Sequence, residues 1–189
     1  MLILVVGPSG AGKDTLLNGA REALGDDGGI RFVRRVITRP GDLGEEEHES
    51  VSEQEFELRE QTGDFALSWR AHGLRYAIPA DVSFDLAQGR LVIANVSRAV
   101  LAEAAARFPI AVVEVTAPAP VLSARLEQRG RETADDVARR LAREIELPLP
   151  VPRLTVLNDA SKEQGVARML AALREAGGID PDERHSVDD

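Results

Sequence analysis

Gly7-Pro8-Ser9-Gly10-Ala11-Gly12-Lys13 has the spacing G-x-x-x-x-G-K, and the chemistry of that spacing is phosphate binding. Its small residues let successive main-chain N–H groups converge on phosphate oxygens, and the start of a following helix adds positive potential. Lys13 then reaches the outer phosphates of a nucleoside triphosphate. The pattern carries this meaning only between a strand and a helix, and both are predicted. Leu2 to Val6 is an unbroken apolar run, as in a strand covered on both faces. Lys13 to Leu24 puts Leu16, Leu17, Ala20, Ala23 and Leu24 on one helical face. A plain glycine turn is the alternative, and this context disfavours it. The hydroxyl that usually follows the lysine is replaced by Asp14, with Thr15 behind it. A carboxylate beside a triphosphate repels it unless a cation lies between them. Asp14 is therefore assigned to Mg²⁺, directly or through water, against the simpler reading of an acid favoured by the helix dipole.

The surrounding chain must hold that loop. Its 189 residues carry 23 Lys+Arg and 32 Asp+Glu, a net charge of −9, with 43% hydrophobic and 29% charged residues. That balance is globular, and the length suits one domain with inserted subdomains. The acidic balance, with a pI near 4.9, argues against a nucleic-acid or anionic-membrane partner. An anionic ligand must be held by a local cationic site that overrides this field. The chain has no Cys, which excludes disulfides and thiolate metal sites. No apolar run is long enough for a membrane span or a secretory leader, and the expected location is cytoplasmic.

Strands are predicted at Phe32 to Thr38, Phe65 to Trp69, Leu74 to Ile78, Leu91 to Val96, Ile110 to Thr116 and Leu154 to Leu157. Helices are predicted at Glu53 to Gln61, Ala80 to Gln88, Arg98 to Arg107, Pro118 to Gln128, Thr133 to about Glu146, and Ser161 to Ala176. Residues 41–53 read as an acidic loop, and the tail from Gly177 as frayed. Strands alternating with helices predict an α/β fold with a mostly parallel sheet.

Further segments, in order, resemble the guanylate-kinase-like P-loop kinases. Thr38-Arg39-Pro40, Glu45-Glu46-Glu47-His48, Val51-Ser52 and Glu55-Phe56 resemble that family's monophosphate-binding region. His72-Gly73-Leu74-Arg75-Tyr76-Ala77-Ile78-Pro79 resembles its H-G-x-x-Y-G-T-P segment. Leu122 to Arg131 and Ala138 to Leu141 resemble the two sides of its lid, and Asn158-Asp159 its adenine-side turn. The resemblance implies a three-layer P-loop kinase fold. Its core would be 1–31, 80–124 and 147–176, with a small acceptor-binding subdomain at 32–79, a helical lid at 125–146 and a polar tail at 177–189.

The departures sharpen the resemblance. Leu67 and Ile78 fall where guanylate kinases carry groups that read the guanine edge. Asp42 falls near a second phosphate-binding arginine, His48 near a tyrosine and Asn95 at an acid. These departures, the Gly12-Lys13-Asp14 form of the loop and Asn95-Val96-Ser97-Arg98 resemble one branch, the ribose 1,5-bisphosphate phosphokinases of bacterial phosphonate metabolism. The implied reaction uses ATP and Mg²⁺ to convert ribose 1,5-bisphosphate into 5-phosphoribosyl 1-diphosphate (PRPP). The implied partners are ATP and a phosphorylated sugar, and a homo-oligomer is compatible with the sequence. A true guanylate kinase and a non-catalytic guanylate-kinase-like interaction module are the competing readings.

On this resemblance Gly7, Pro8, Ser9, Gly10, Ala11, Gly12, Lys13, Asp14, Thr15, Arg125 and Asn158 bind ATP. Lys13, Arg129 and Arg140 are catalytic, stabilising charge on the transferring group. Arg39, Tyr76, Arg98 and His48 face the acceptor. For Tyr76 the alternative is a half-buried strand aromatic, and for His48 and Arg98 a surface position. Asp14 and Asn95 look like an exchange of acids that keeps the charge of the metal site.

Overall fold

The computed structural model describes residues 1–25, 28–39, 48–128 and 151–178. β1 (Leu2–Val6) is buried at every residue and lies at the centre of a five-stranded sheet. Its neighbours are β7 (Leu91–Asn95) and β8 (Ile110–Thr116), with β2 (Ile30–Phe32) outside β7 and β9 (Arg153–Leu157) outside β8. All four pairings are parallel. A parallel central strand has both faces covered, which explains its unbroken apolar run.

Alternation along β1 divides the core into two layers. Ile3 and Val5 pack with Leu16 and Leu17 of α1 (Lys13–Leu24) and Met169 and Leu173 of α6 (Lys162–Gly177). Gly19 and Gly165 let these helices approach closely: a Cβ on Gly165 would lie 2.7 Å from Leu16 Cδ2. Leu2, Leu4 and Val6 pack on the other side with Leu101 and Ala104 of α4 (Leu101–Arg107).

That second layer is shared with a smaller sheet. β3 (Arg35–Ile37), β4 (His48–Ser50), β5 (Phe65–Ala71) and β6 (Leu74–Pro79) run in the order β4-β3-β6-β5. β5 and β6 form a hairpin turned by His72 and Gly73, with φ 53° and 73°, the left-handed pair of a tight hairpin. Ile37, Leu67, Trp69, Tyr76 and Ile78 of this sheet join Leu2, Leu4 and Val6 in one cluster. α2 (Glu53–Gln61) covers the opposite face through Phe56, packed with Val36 and Ala77. Ser52 starts α2 by accepting from Glu55 N–H at 3.1 Å. α3 (Val82–Ala87) leads back to the large sheet, and α5 (Ala119–Gln128) follows β8.

Three predicted elements differ. The single strand from Phe32 to Thr38 is two, β2 and β3, which belong to different sheets. Val33 N–H still donates to Ile93 O at 2.8 Å, and the chain then crosses over. Residues 48–50, predicted within a loop, form β4, because the β3 edge supplies a parallel ladder to a segment with little strand propensity of its own. The helix predicted from Arg98 begins as a 3₁₀ turn, Arg98–Val100, capped by Ser97. Ala23, assigned to the inner face of α1, is exposed. The helix predicted from Thr133 lies outside the described residues.

Candidate active site

In a parallel sheet the strand ends that gather loops are the carboxyl ends, and ligands bind where the strand order reverses. Here the reversal is at β1. Gly7 follows it, Asn95 ends β7 on one side, and Glu114 lies near the end of β8 on the other. The loop from Gly7 to Gly12 folds over this point. Gly7 and Gly12 have φ of 148° and 87°, and a Cβ on either would run into Val115 O or Asn158 Nδ2. Both glycines are thus required by conformation and by space. Lys13 Nζ donates to Gly7 O at 2.8 Å and Pro8 O at 3.1 Å, so its charge lies over the loop's own main chain.

The predicted adenine side is assembled against the same loop. Asn158, buried after β9, donates through Nδ2 to Ala11 O at 2.7 Å. Arg125 of α5 donates to Asn158 O at 3.2 Å and to Gly10 O at 3.4 Å. Next to them Arg168 holds the Asp159 carboxyl below its ordinary pKa through a hydrogen bond.

Asp14 and Asn95, 81 residues apart, meet: Asn95 Nδ2 donates to Asp14 Oδ1 at 2.6 Å. The other amide atom, Asn95 Oδ1, is the one buried side-chain polar atom among the described residues with no hydrogen-bond partner. Such an atom calls for a ligand, water or ion to complete it. Arg35 Nη2 lies 3.9 Å from Asp14 Oδ1. Asp14, Arg35 and Asn95, with Asn18, Arg21 and Arg34, line an open cleft between α1 and the crossover from β2 to β3.

The predicted acceptor residues have different fates. Tyr76 is buried and stacks on Trp69, with centroids 5.5 Å apart and planes at 8°. His48 is 7 % exposed, on β4 rather than on a surface loop. Its main-chain oxygen accepts from Arg34 at 3.0 Å, and its ring Nε2 lies 3.1 Å from Ser50 Oγ. Arg98 is turned to Glu114 of β8, which also pairs with Arg153 of β9. Arg39 lies just beyond β3 and is partly buried. Arg129 and Arg140 lie outside the described residues, as does Asp42. Leu67 and Ile78 are register partners, 1 % and 0 % exposed, inside the shared apolar layer.

The sequence reading missed Arg35. A signal was present: Arg34 and Arg35 are adjacent in the strand predicted from Phe32 to Thr38, so one of them must face inward whatever the register. Deciding which required the crossover between sheets.

No protein-family model matches the chain. Individual relatives do. The chain is 53% identical over 172 residues to a bifunctional ribose 1,5-bisphosphokinase-thymidine phosphorylase of Cupriavidus necator, covering 90% of this chain and 28% of that protein. It thus spans little more than a quarter of such bifunctional relatives. It is 52% identical over 172 residues to a ribose 1,5-bisphosphate phosphokinase PhnN of Acidiphilium cryptum, with 91% of both chains covered. A PhnN of Rhizobium etli is 49% identical over 178 residues, covering 92% of this chain and 89% of the relative. Among solved structures, guanylate kinase from Anaplasma phagocytophilum aligns over 93% of this chain and 85% of its own, with a TM-score of 0.68 and 15% identity. A gluconokinase from Sinorhizobium meliloti aligns over 94% of both chains at 0.53 and 20%. Those two likenesses establish the P-loop kinase fold. Identity near one half over almost the full length of the single-function relatives establishes more: the chain belongs to the PhnN family of ribose 1,5-bisphosphate phosphokinases.

Proposed function

We propose that this chain transfers the γ-phosphate of ATP to ribose 1,5-bisphosphate, giving ADP and 5-phosphoribosyl 1-diphosphate. The observation that carries this reading is the packing of Leu67 and Ile78. The positions that would read a purine edge are aliphatic and buried in the core, so a base entering there would leave its donors unpaired. A site without such partners rejects the base by about 10⁴-fold.

The acceptor nucleophile is a phosphate oxygen, already ionised at neutral pH, so no strong general base is required. That oxygen forms a bond to the γ-phosphorus as the bond to the β-bridging oxygen breaks and ADP departs. Positioning and charge stabilisation then carry the catalysis. Lys13 moves from the loop carbonyls to the outer phosphates. Arg125 and Asn158 hold the nucleotide end of the loop, Arg39 and Tyr76 take the acceptor, and Arg129 and Arg140 stabilise charge on the γ-phosphate.

Among the described residues no three His, Asp or Glu side chains cluster as an all-protein metal cage. Magnesium rarely uses one; it is held by one or two protein oxygens, water and substrate phosphates. Asp14 and the unpartnered Asn95 Oδ1 fit that donor set. When bound, Mg²⁺ neutralises charge on the triphosphate. The Asn95 amide keeps the Asp14 carboxylate oriented at the loop. No helix among the described residues is long and apolar enough to cross a membrane.

The test is a product assay with purified protein, MgATP and a panel of phosphorylated acceptors. Transfer to ribose 1,5-bisphosphate with formation of 5-phosphoribosyl 1-diphosphate is expected. Transfer only to another sugar phosphate would refute the reading.

A further inference from the structure

Side chains alternate between the two covered faces of β3. Val36 faces Phe56 and Ala77 on one side of the small sheet, while Ile37 joins Leu67, Trp69, Tyr76 and Ile78 on the other. Arg35, two residues before Ile37, shares this second face, and only 9 % of it is exposed. The pattern calls for an aliphatic side chain there. A residue that breaks a local rule of the fold in this way marks a functional position, because burying a charge is costly unless other groups meet it.

The groups that meet Arg35 hold it in place. Its guanidinium carbon lies 5.5 Å from the centroid of the Tyr76 ring, and Tyr76 is stacked on Trp69. The resulting Trp69–Tyr76–Arg35 pile supports the guanidinium by cation–π attraction. Asp14 faces it at 3.9 Å, the outer limit of an ion pair. Arg35 thus stands on the wall of the cleft opposite the first turn of α1, beside the amide of Asn95.

We propose that Arg35 determines acceptor specificity by binding a phosphate of the acceptor, its planar fork taking two oxygens. This rests on the proposed function and deepens it. A phosphorylated acceptor approaching this loop meets Asp14 and a chain of net charge −9, so it needs a fixed cation on the acceptor side of the cleft. Arg35 supplies it from the sheet that carries the rest of the acceptor site, already oriented before the acceptor arrives.

The experiment titrates ribose 1,5-bisphosphate calorimetrically into protein saturated with Mg²⁺ and a non-hydrolysable ATP analogue. Arg35→Gln should weaken the acceptor about 100-fold and nucleotide by no more than about fivefold, the coupling expected across the 3.9 Å pair with Asp14. Weakened nucleotide with unchanged acceptor would make Arg35 a partner of Asp14 alone and overturn the proposal. Should Arg35→Gln not fold, Arg35→Lys carries the test, since it keeps the charge and loses the fork. Acceptor affinity at least about 10-fold weaker supports the proposal, and affinity equal to the parent's overturns it. Inorganic phosphate, added to nucleotide-saturated protein, separates this claim from the proposed function. A melting temperature raised in the parent and not in the variant supports Arg35 even if ribose 1,5-bisphosphate is never turned over. Turnover of ribose 1,5-bisphosphate with an unaltered KM in the variants keeps the function and removes Arg35 from it.

Discussion

On the proposed function, the nucleotide loop and the small sheet hold anions by opposite means. The loop uses main chain: Gly7 and Gly12 adopt conformations and clearances that no other residue tolerates, and Lys13 adds one charge. The small sheet uses side chains on a packed scaffold, with Arg35 lying on Tyr76 and Tyr76 on Trp69. A main-chain grip demands fixed residue types at fixed spacing, and it serves any polyphosphate of the right length. A side-chain grip can be rebuilt by single substitutions within one fold. On the proposed function, aliphatic Leu67 and Ile78 together with a buried Arg35 are such a rebuilding, on a fold shared with a guanylate kinase.

Substitutions at the two regions should therefore fail differently. Lys13→Met removes charge stabilisation without touching the core, so turnover should fall by about 10³-fold while the urea unfolding curve stays in place. An unfolding midpoint that moves with activity would break the contrast. Leu67→Ala should behave in the reverse way. A cavity in the shared apolar layer costs about 3 kcal/mol of stability, read as a lower urea midpoint. Measured below that midpoint, it should not create activity toward GMP.

Asp14→Asn tests the join between the regions. Because Asp14 faces both the loop and Arg35, the variant should need more Mg²⁺ and lose about 10- to 100-fold in turnover. Unchanged Mg²⁺ dependence would return Asp14 to a helix-dipole role. The smallest effect is expected where α3 meets β2 at the edge of the large sheet. The Arg31 guanidinium, by hydrogen bonding, and Arg90 beside it hold the Asp85 carboxyl below its ordinary value. A depressed carboxyl stabilises the fold above its unfolded pKa and loses that contribution as pH falls through the folded one. Asp85→Asn should thus melt a few degrees lower at neutral pH. The gap should close as pH drops below about 4. A gap independent of pH would mean that packing, not charge, is lost.

The same contrast explains what could be read without coordinates. β1, α1 and β8 were legible to the residue, because burial on both faces and a 3.6-residue stripe leave strong local patterns. The loop was legible because glycine spacing is its mechanism, and the meeting of Asp14 with Asn95 was foreshadowed by their apparent exchange of acids. The break between β2 and β3 was not legible. Phe32 to Thr38 reads as one strand because nothing local distinguishes pairing with Ile93 from pairing with Tyr76. The buried arginine went with it, since its facing depends on that crossover. His48 likewise became a strand residue only through a partner distant in sequence.

The central claim is that the base-reading corner has been closed and the site turned toward a phosphorylated sugar. The most direct measurement is kcat/KM for ribose 1,5-bisphosphate and for GMP with the same MgATP-supplied protein. The account predicts formation of 5-phosphoribosyl 1-diphosphate with a preference of about 10⁴-fold or more. Efficient formation of GDP alongside inert ribose 1,5-bisphosphate would contradict it.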